Sequence, residues 1–237
     1  MKREKREALS AKAQVDGIQS FLALEPRSRV LDLGCASGRG TLELARRGHR
    51  VLGIDPDERA LAIARAAAKG ERLNIHFMKA DPREISYRGD FDAVVCLDGA
   101  FGRLPSDRDD LRALDNMRKA LKPGAKLLLD VVNREWLMRR FEPSQQVVFD
   151  FEKGRLDDRR SPPSPSLRMY ALTELIAQLE RAGFLYKQCW GGYDGAAYGL
   201  DSSRLLVLAE RPRDEKPARR AVADDGLPKA IRIKGRR

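Results

Sequence analysis

The run Val30-Leu31-Asp32-Leu33-Gly34-Cys35-Ala36-Ser37-Gly38-Arg39-Gly40 constrains this chain more than any other stretch, because an apolar strand breaks there into a small-residue turn that must open a helix. Gly34 and Gly38 allow positive φ and close backbone approach. The helix that follows, expected over Arg39 to Gly48, points unpaired N–H groups at whatever sits above the turn. Val51-Leu52-Gly53-Ile54 reads as a second strand and ends in Asp55, a carboxylate placed to accept two vicinal hydroxyls. Turn, helix, strand and acid together read as half of an adenosine site.

A dinucleotide-binding chain uses the same strand order with a similar acid after its second strand. Here Asp32 stands two residues before the first glycine. A buried carboxylate at that point would repel a pyrophosphate and would suit an ammonium group.

On these residues the chain resembles the class I S-adenosylmethionine-dependent methyltransferases, whose first motif reads acid-x-Gly-x-Gly-x-Gly. Asp32, Gly34, Ala36 and Gly38 match it, with Ala36 standing where a glycine is usual. A Cβ at that position is expected to crowd the cofactor or to force φ negative. The resemblance covers about Val15 to Glu210 and rests on several motifs in order. Leu73 to Met78 alternates as a third strand before Asp81 and Pro82, and Phe91 to Leu97 is an apolar run of the buried parallel type ending at Asp98. Ser106-Asp107-Arg108-Asp109 offers a helix start, with Leu111, Leu114, Met117 and Leu121 on one face, and Lys122-Pro123-Gly124 is read as its stop. Lys126 to Val132 is the fifth strand.

The resemblance implies a three-layer, Rossmann-like α/β fold with a sheet of about seven strands, the last one antiparallel, and S-adenosyl-L-methionine as cofactor. It implies cofactor contacts from Asp32, Gly34, Cys35, Ala36 and Gly38 in the first turn and from Asp55 and Pro56 after the second strand. Asp81, expected to accept from the adenine amino group, Pro82, and Leu97 and Asp98 at the end of the fourth strand complete the set.

A small β-rich insertion is expected after the fifth strand, over about residues 133–171. Asn133 to Phe141 reads as a short helix, Gln145 to Glu152 alternates as a strand, and Lys153-Gly154 is a tight turn. Arg155 to Arg160 returns as an antiparallel partner before a Pro-Ser stretch that fits neither helix nor central strand. In the family, additions at this point form a lid over the substrate pocket; a surface hairpin covering the sheet is the other reading. The helix Leu172 to Ala182, stopped by Gly183, leads to a closing pair of strands, Phe184 to Gly192 and Ser203 to Ala209. Between them lie Tyr193, Tyr198 and Arg204, side chains able to hold an acceptor's oxyanion or carboxylate. Asp98 and Tyr170 are candidate general bases by position. His49 and His76 are read as structural, and no Cys or His spacing suggests a metal.

The formal charge of +11 is concentrated at the ends. Ten basic and four acidic residues lie between Arg211 and Arg237, and five against two between Met1 and Lys12, leaving +2 for the rest. The expected organisation is a domain over 1–211 and a basic, disordered tail over 212–237. Such ends could give salt-sensitive contact with nucleic acid, but the tail has no interleaved aromatics of the kind a single-strand binder stacks bases on. No apolar run approaches membrane-spanning length. A charged start and three cysteines on or beside buried strands suit reduced thiols in a cytoplasm.

The function expected from this pattern is methyl transfer to an O, N or C atom of a small-molecule acceptor. Alternatives are an RNA methyltransferase working through its basic ends, and a non-catalytic cofactor-binding protein. Oligomeric state and acceptor identity have no signature in the sequence.

Overall fold

The computed structural model describes residues 10–144, 146–159 and 166–213. The expected tail, Gln145 and the Pro-Ser stretch as far as Pro165 lie outside these residues. Helix α1 (Ala11–Leu22) is capped by Ser10, whose hydroxyl accepts from the Ala13 N–H. It leads into β1 (Arg29–Leu33), α2 (Arg39–Arg46), β2 (Arg50–Asp55), α3 (Glu58–Gly70) and β3 (His76–Lys79), the alternation expected of a parallel sheet. β4 (Phe91–Cys96), α4 (Asp107–Ala120) and β5 (Leu121–Val132) follow, then α5 (Arg134–Met138), β6 (Val147–Asp150), β7 (Arg155–Asp158) and β8 (Leu167–Arg168). The chain closes with α6 (Leu172–Arg181), β9 (Leu185–Trp190) and β10 (Arg204–Glu210).

Seven strands form one sheet in the order β3-β2-β1-β4-β5-β10-β9, and β6-β7-β8 form a small separate sheet. Only β10 runs against its neighbours, pairing antiparallel with both β5 and β9. The order reverses between β1 and β4, whose C-terminal ends therefore face a crevice open to a ligand.

Alternate residues of each buried strand serve opposite faces. Leu31 and Leu33, Val94 and Cys96, Leu127 and Leu129 pack towards α4 and α6, while Val30, Val95 and Leu128 pack towards α1. Asp32 and Asp130 have the parity of the α1 face, so a carboxylate enters each of two otherwise apolar strands on that side.

The structure differs from the sequence reading at several points. α4 ends at Ala120, so Leu121 belongs not to the helix face but to β5, which begins there and runs through Pro123 with a register break opposite Phe91 and Ala93. The alternation of 145–152 is paired only over β6; Phe151 to Gly154 turn, leaving Phe151 77% exposed. Cys35 and Cys96 are buried free thiols, but Cys189, on the outermost strand β9, is only half-buried. No helix among the described residues is long and apolar enough to cross a membrane.

Candidate active site

The turn after β1 is stitched to the end of β2. The Gly34 and Cys35 N–H groups both donate to the Ile54 carbonyl, at 2.8 and 3.2 Å. Gly34 has φ +76°, and a Cβ there would stand 2.4 Å from the Ala100 Cβ, so the position admits only glycine. Gly38, at φ +79°, is the N-cap of α2. Ala36 corrects the sequence reading: its φ is +47°, not negative. Its N–H donates to Asp55 Oδ2 at 2.8 Å, and this bond holds the residue in a region costing an L-residue about 1–2 kcal/mol. Asp55 Oδ1 accepts from the Asp57 N–H at 2.8 Å, so both carboxylate oxygens are oriented by backbone.

Asp32 is 2% exposed. Thr41, on the first turn of α2, donates its hydroxyl to Oδ2 at 2.6 Å, while Oδ1 is buried without a hydrogen-bond partner among the described residues. Burial pushes this carboxyl up to about 7 against the Thr41 bond, with Asp98 and Asp55 adding like-charge repulsion.

Asp98 follows β4 at φ +53°. Its Oδ2 accepts from Arg39 at 2.8 Å and its Oδ1 from Gln14 and Arg204, both at 3.3 Å. Burial would raise its pKa, but the Arg39 bond and charge and the Arg204 charge outweigh it and hold the group below the ordinary range. Asp81 is also held low, chiefly by Arg83, whose guanidinium and backbone N–H both bond it at 2.6–3.0 Å.

A cavity of about 380 Å³ opens from this turn, within the size range of small-molecule sites. Leu33, Gly34, Ala36, Asp55, Pro56, Pro82, Leu97 and Asp98 line one part, and Phe101, Leu104, Ala113 and Met117 an apolar part beside α4. Asp81 itself is not in the wall.

The acceptor candidates from the last strand pair are turned elsewhere. Tyr193, 6% exposed, receives a hydrogen bond from Gln14 Nε2 at 3.1 Å and donates to Asp130 Oδ2 at 2.9 Å. Arg204 is ion-paired with Asp98 and with Asp130, and its guanidinium lies over the Tyr193 ring at 5.5 Å. Tyr198 donates to Glu135 at 2.9 Å. None of the three is in the cavity wall: Tyr193 and Arg204 are taken up by Gln14, Asp98 and Asp130, and Tyr198 by Glu135 beside α5. Asn133 is likewise committed, capping α5 and donating to the Gly199 and Ser202 carbonyls.

Tyr170 is 1% exposed and donates to Asp110 Oδ2 at 2.9 Å. Asp110, which the sequence reading did not single out, is fully buried and lines the cavity. Burial pushes its carboxyl up to about 6 against the Tyr170 bond, and burial with the Asp110 charge pushes the Tyr170 phenol up in turn. Its only signal in the sequence was an acid at the inward helical spacing, one residue before Leu111.

Strand order, a glycine turn at the β1–α2 junction and an acid ending β2 define a nucleotide-binding α/β domain of the doubly wound kind. The comparisons are more specific. The model of the methyltransferase domain family matches residues 30–124. The ubiquinone biosynthesis O-methyltransferase of Dechloromonas aromatica (strain RCB) is 30% identical over 80% of this chain and 80% of its own. YqeM of Bacillus subtilis (strain 168) is 34% identical over 46% of this chain, an alignment spanning less than half, 44%, of that protein. A crystal structure of an S-adenosylmethionine-dependent methyltransferase from Clostridium acetobutylicum ATCC 824 superposes with a TM-score of 0.72 at 15% identity, covering 87% of this chain and 93% of that one. The chain belongs to the class I S-adenosylmethionine-dependent methyltransferases. S-adenosylmethionine is its cofactor.

The residues present fit that group. The buried Asp32 Oδ1 has no donor among the described residues, and the turn presents Gly34 and Ala36, which carry no side chain beyond Cβ, to the cavity.

Proposed function

We propose that this methyltransferase acts on a small-molecule acceptor at O, N or C, in the cytoplasm, through a domain spanning 1–211 in which residues 133–171 cover the acceptor. The observation that carries this reading is the cavity running from Gly34, Ala36 and Asp55 into an apolar chamber walled by Phe101, Leu104 and Met117.

The insertion supports the covering role. Arg155 on β7 donates to the Gly102 and Leu104 carbonyls, and the Arg168 N–H on β8 donates to the Gly102 carbonyl at 2.7 Å. Both strands therefore hold the loop that walls the chamber. Helix α6 begins directly after them, where the Ala171 N–H donates to Glu174 at 2.9 Å.

In this reading Asp55 receives the ribose hydroxyls on lone pairs its backbone donors leave open, and Asp32 Oδ1 receives the methionine ammonium. Gly34, Cys35, Ala36 and Gly38 bring backbone close, and Pro56, Pro82 and Leu97 flank the adenine. Asp81 keeps carboxylate lone pairs for the adenine amino group, and Asp98, held ionised, closes the methionine end. When bound, S-adenosylmethionine supplies a sulfonium methyl whose displacement leaves a neutral thioether. The protein's contribution to such an in-line displacement is alignment and exclusion of water. Because the Dechloromonas relative is named an O-methyltransferase, hydroxyl acceptors come first in a screen.

Calorimetry with S-adenosylhomocysteine on the intact chain and on Asp55→Ala tests the site. Low-micromolar binding that the substitution weakens at least tenfold, followed by turnover on a panel of small hydroxyl and amine acceptors, is expected. Absence of binding by the folded intact chain, or turnover on RNA alone, overturns the proposal.

A further inference from the structure

Resting on the methyltransferase reading, the geometry points to Asp110 as the group that receives the hydrogen bond, and then the proton, of an acceptor hydroxyl carried on a small apolar ring. Asp110 is fully buried and lines the same cavity as Gly34 and Asp55. Its two oxygens are not equivalent: Oδ2 is occupied by the Tyr170 hydroxyl, and Oδ1 is buried with no hydrogen-bond partner among the described residues. A lone buried acceptor among Phe101, Leu104, Ala113 and Met117 is costly unless a donor enters the chamber.

The placement separates this carboxylate from those serving the nucleotide. Asp32 and Asp55 come from β1 and β2 and are oriented by the turn and α2. Asp110 comes from α4, on the opposite face of the sheet from Asp32, and its surroundings are built by the insertion and by the segment leading to α6. The groups facing it are Tyr170 before α6, Arg155 on β7, Arg168 on β8, Asp107 one turn earlier on α4 and the Cys96 thiol on β4, and Arg103 shares its cavity wall. The part of the chain that is not generic nucleotide fold thus shapes the ground around Asp110, as a specificity element should.

The step balances without a further reactant. The acceptor's O–H bond breaks and its proton passes to the Asp110 carboxylate, while the oxygen's lone pair forms the O–C bond to the methyl carbon. The electron pair of the broken S–C bond stays on sulfur, so the sulfonium's positive charge is lost as the carboxylate's negative charge is neutralised. Arg155 and Arg168 favour the ionised carboxylate and burial opposes it, which leaves the group titrating near the pH at which a base is useful.

The test uses the full chain saturated with S-adenosylhomocysteine and titrated with phenol and with toluene, rings of similar size of which only phenol donates. Phenol is expected to bind at least tenfold more tightly than toluene. Asp110→Asn should abolish that preference while changing S-adenosylhomocysteine affinity by less than threefold, a binding that also shows the variant is folded. Tyr170→Phe removes a bond that stabilises the ionised carboxylate, so the pH below which phenol methylation falls should move upward from that of the natural chain. Equal binding of phenol and toluene by the natural chain overturns the proposal. A loss of S-adenosylhomocysteine affinity in Asp110→Asn matching the loss of phenol affinity assigns Asp110 to the cofactor and also overturns it. Failure of the natural chain to bind S-adenosylhomocysteine strikes instead at the cofactor site.

Discussion

Thr41 on α2 holds one oxygen of Asp32 on β1 at 2.6 Å, and the other is buried with no partner among the described residues. The carboxyl is pushed up to about 7 by that burial. If its free oxygen takes the methionine ammonium, it must be ionised to do so fully. The apparent affinity for S-adenosylhomocysteine should therefore rise about tenfold per pH unit between pH 5 and 6 and level off above 7. Thr41→Val deletes a bond that favours the ionised form, so the midpoint should move to higher pH. Calorimetry across this range reads both effects, and a flat pH profile in the natural chain would remove Asp32 from the ammonium site.

Ala36 sits at φ +47° where glycine would cost least. Ala36→Gly relieves strain of about 1–2 kcal/mol but frees the unfolded chain by about 0.4–1 kcal/mol, so a net stabilisation of about 0.5 kcal/mol is expected. Ala36→Val puts a β-branched side chain at the same φ and should destabilise by more than 1 kcal/mol. Denaturant unfolding of the two variants gives opposite signs if the left-handed turn is correct, and the same sign if it is not.

Asp130 is 1% exposed and is held by Arg204, by the Tyr193 hydroxyl and by the Asp98 N–H at 3.1 Å. Burial raises its pKa, and Arg204 and Tyr193 offset only part of that. Arg204→Met removes the compensating charge and should cost about 3–5 kcal/mol. Adding Asp130→Asn should recover a large part of this, because the uncompensated charge is then gone. A double-mutant cycle in urea measures the coupling. Additive losses would mean that Arg204 acts through packing on Tyr193 rather than through Asp130.

How far each of these features could be read from the chain depends on how local its physics is. The strand, turn and helix from Val30 to Arg46 and the acid after the second strand were legible, since glycine dihedrals, helix N-termini and apolar periodicity are set within a few residues. The Lys122-Pro123-Gly124 segment does mark the end of α4, at Ala120, but the fifth strand starts at Leu121 rather than Lys126, because a bulge opposite Phe91 and Ala93 takes the turn residues into the strand. The alternation at 145–152 misled for a related reason: period-2 pattern marks a strand only where a partner strand exists, and β7 reaches no further than Asp150.

The class of fold, the succession of its elements and the place of the nucleotide half-site could be read from the chain, because these follow from short-range backbone chemistry and from which residues must leave water. Which polar side chains remain available for chemistry was set by the folded surroundings of each. Tyr193 and Arg204 were absorbed by Asp130, and Tyr170 was brought to Asp110, sixty positions away. Burial and charge pairing depend on neighbours that the fold brings from distant parts of the chain, so a carboxylate's ionisation and its free lone pair become defined only when those neighbours are in place.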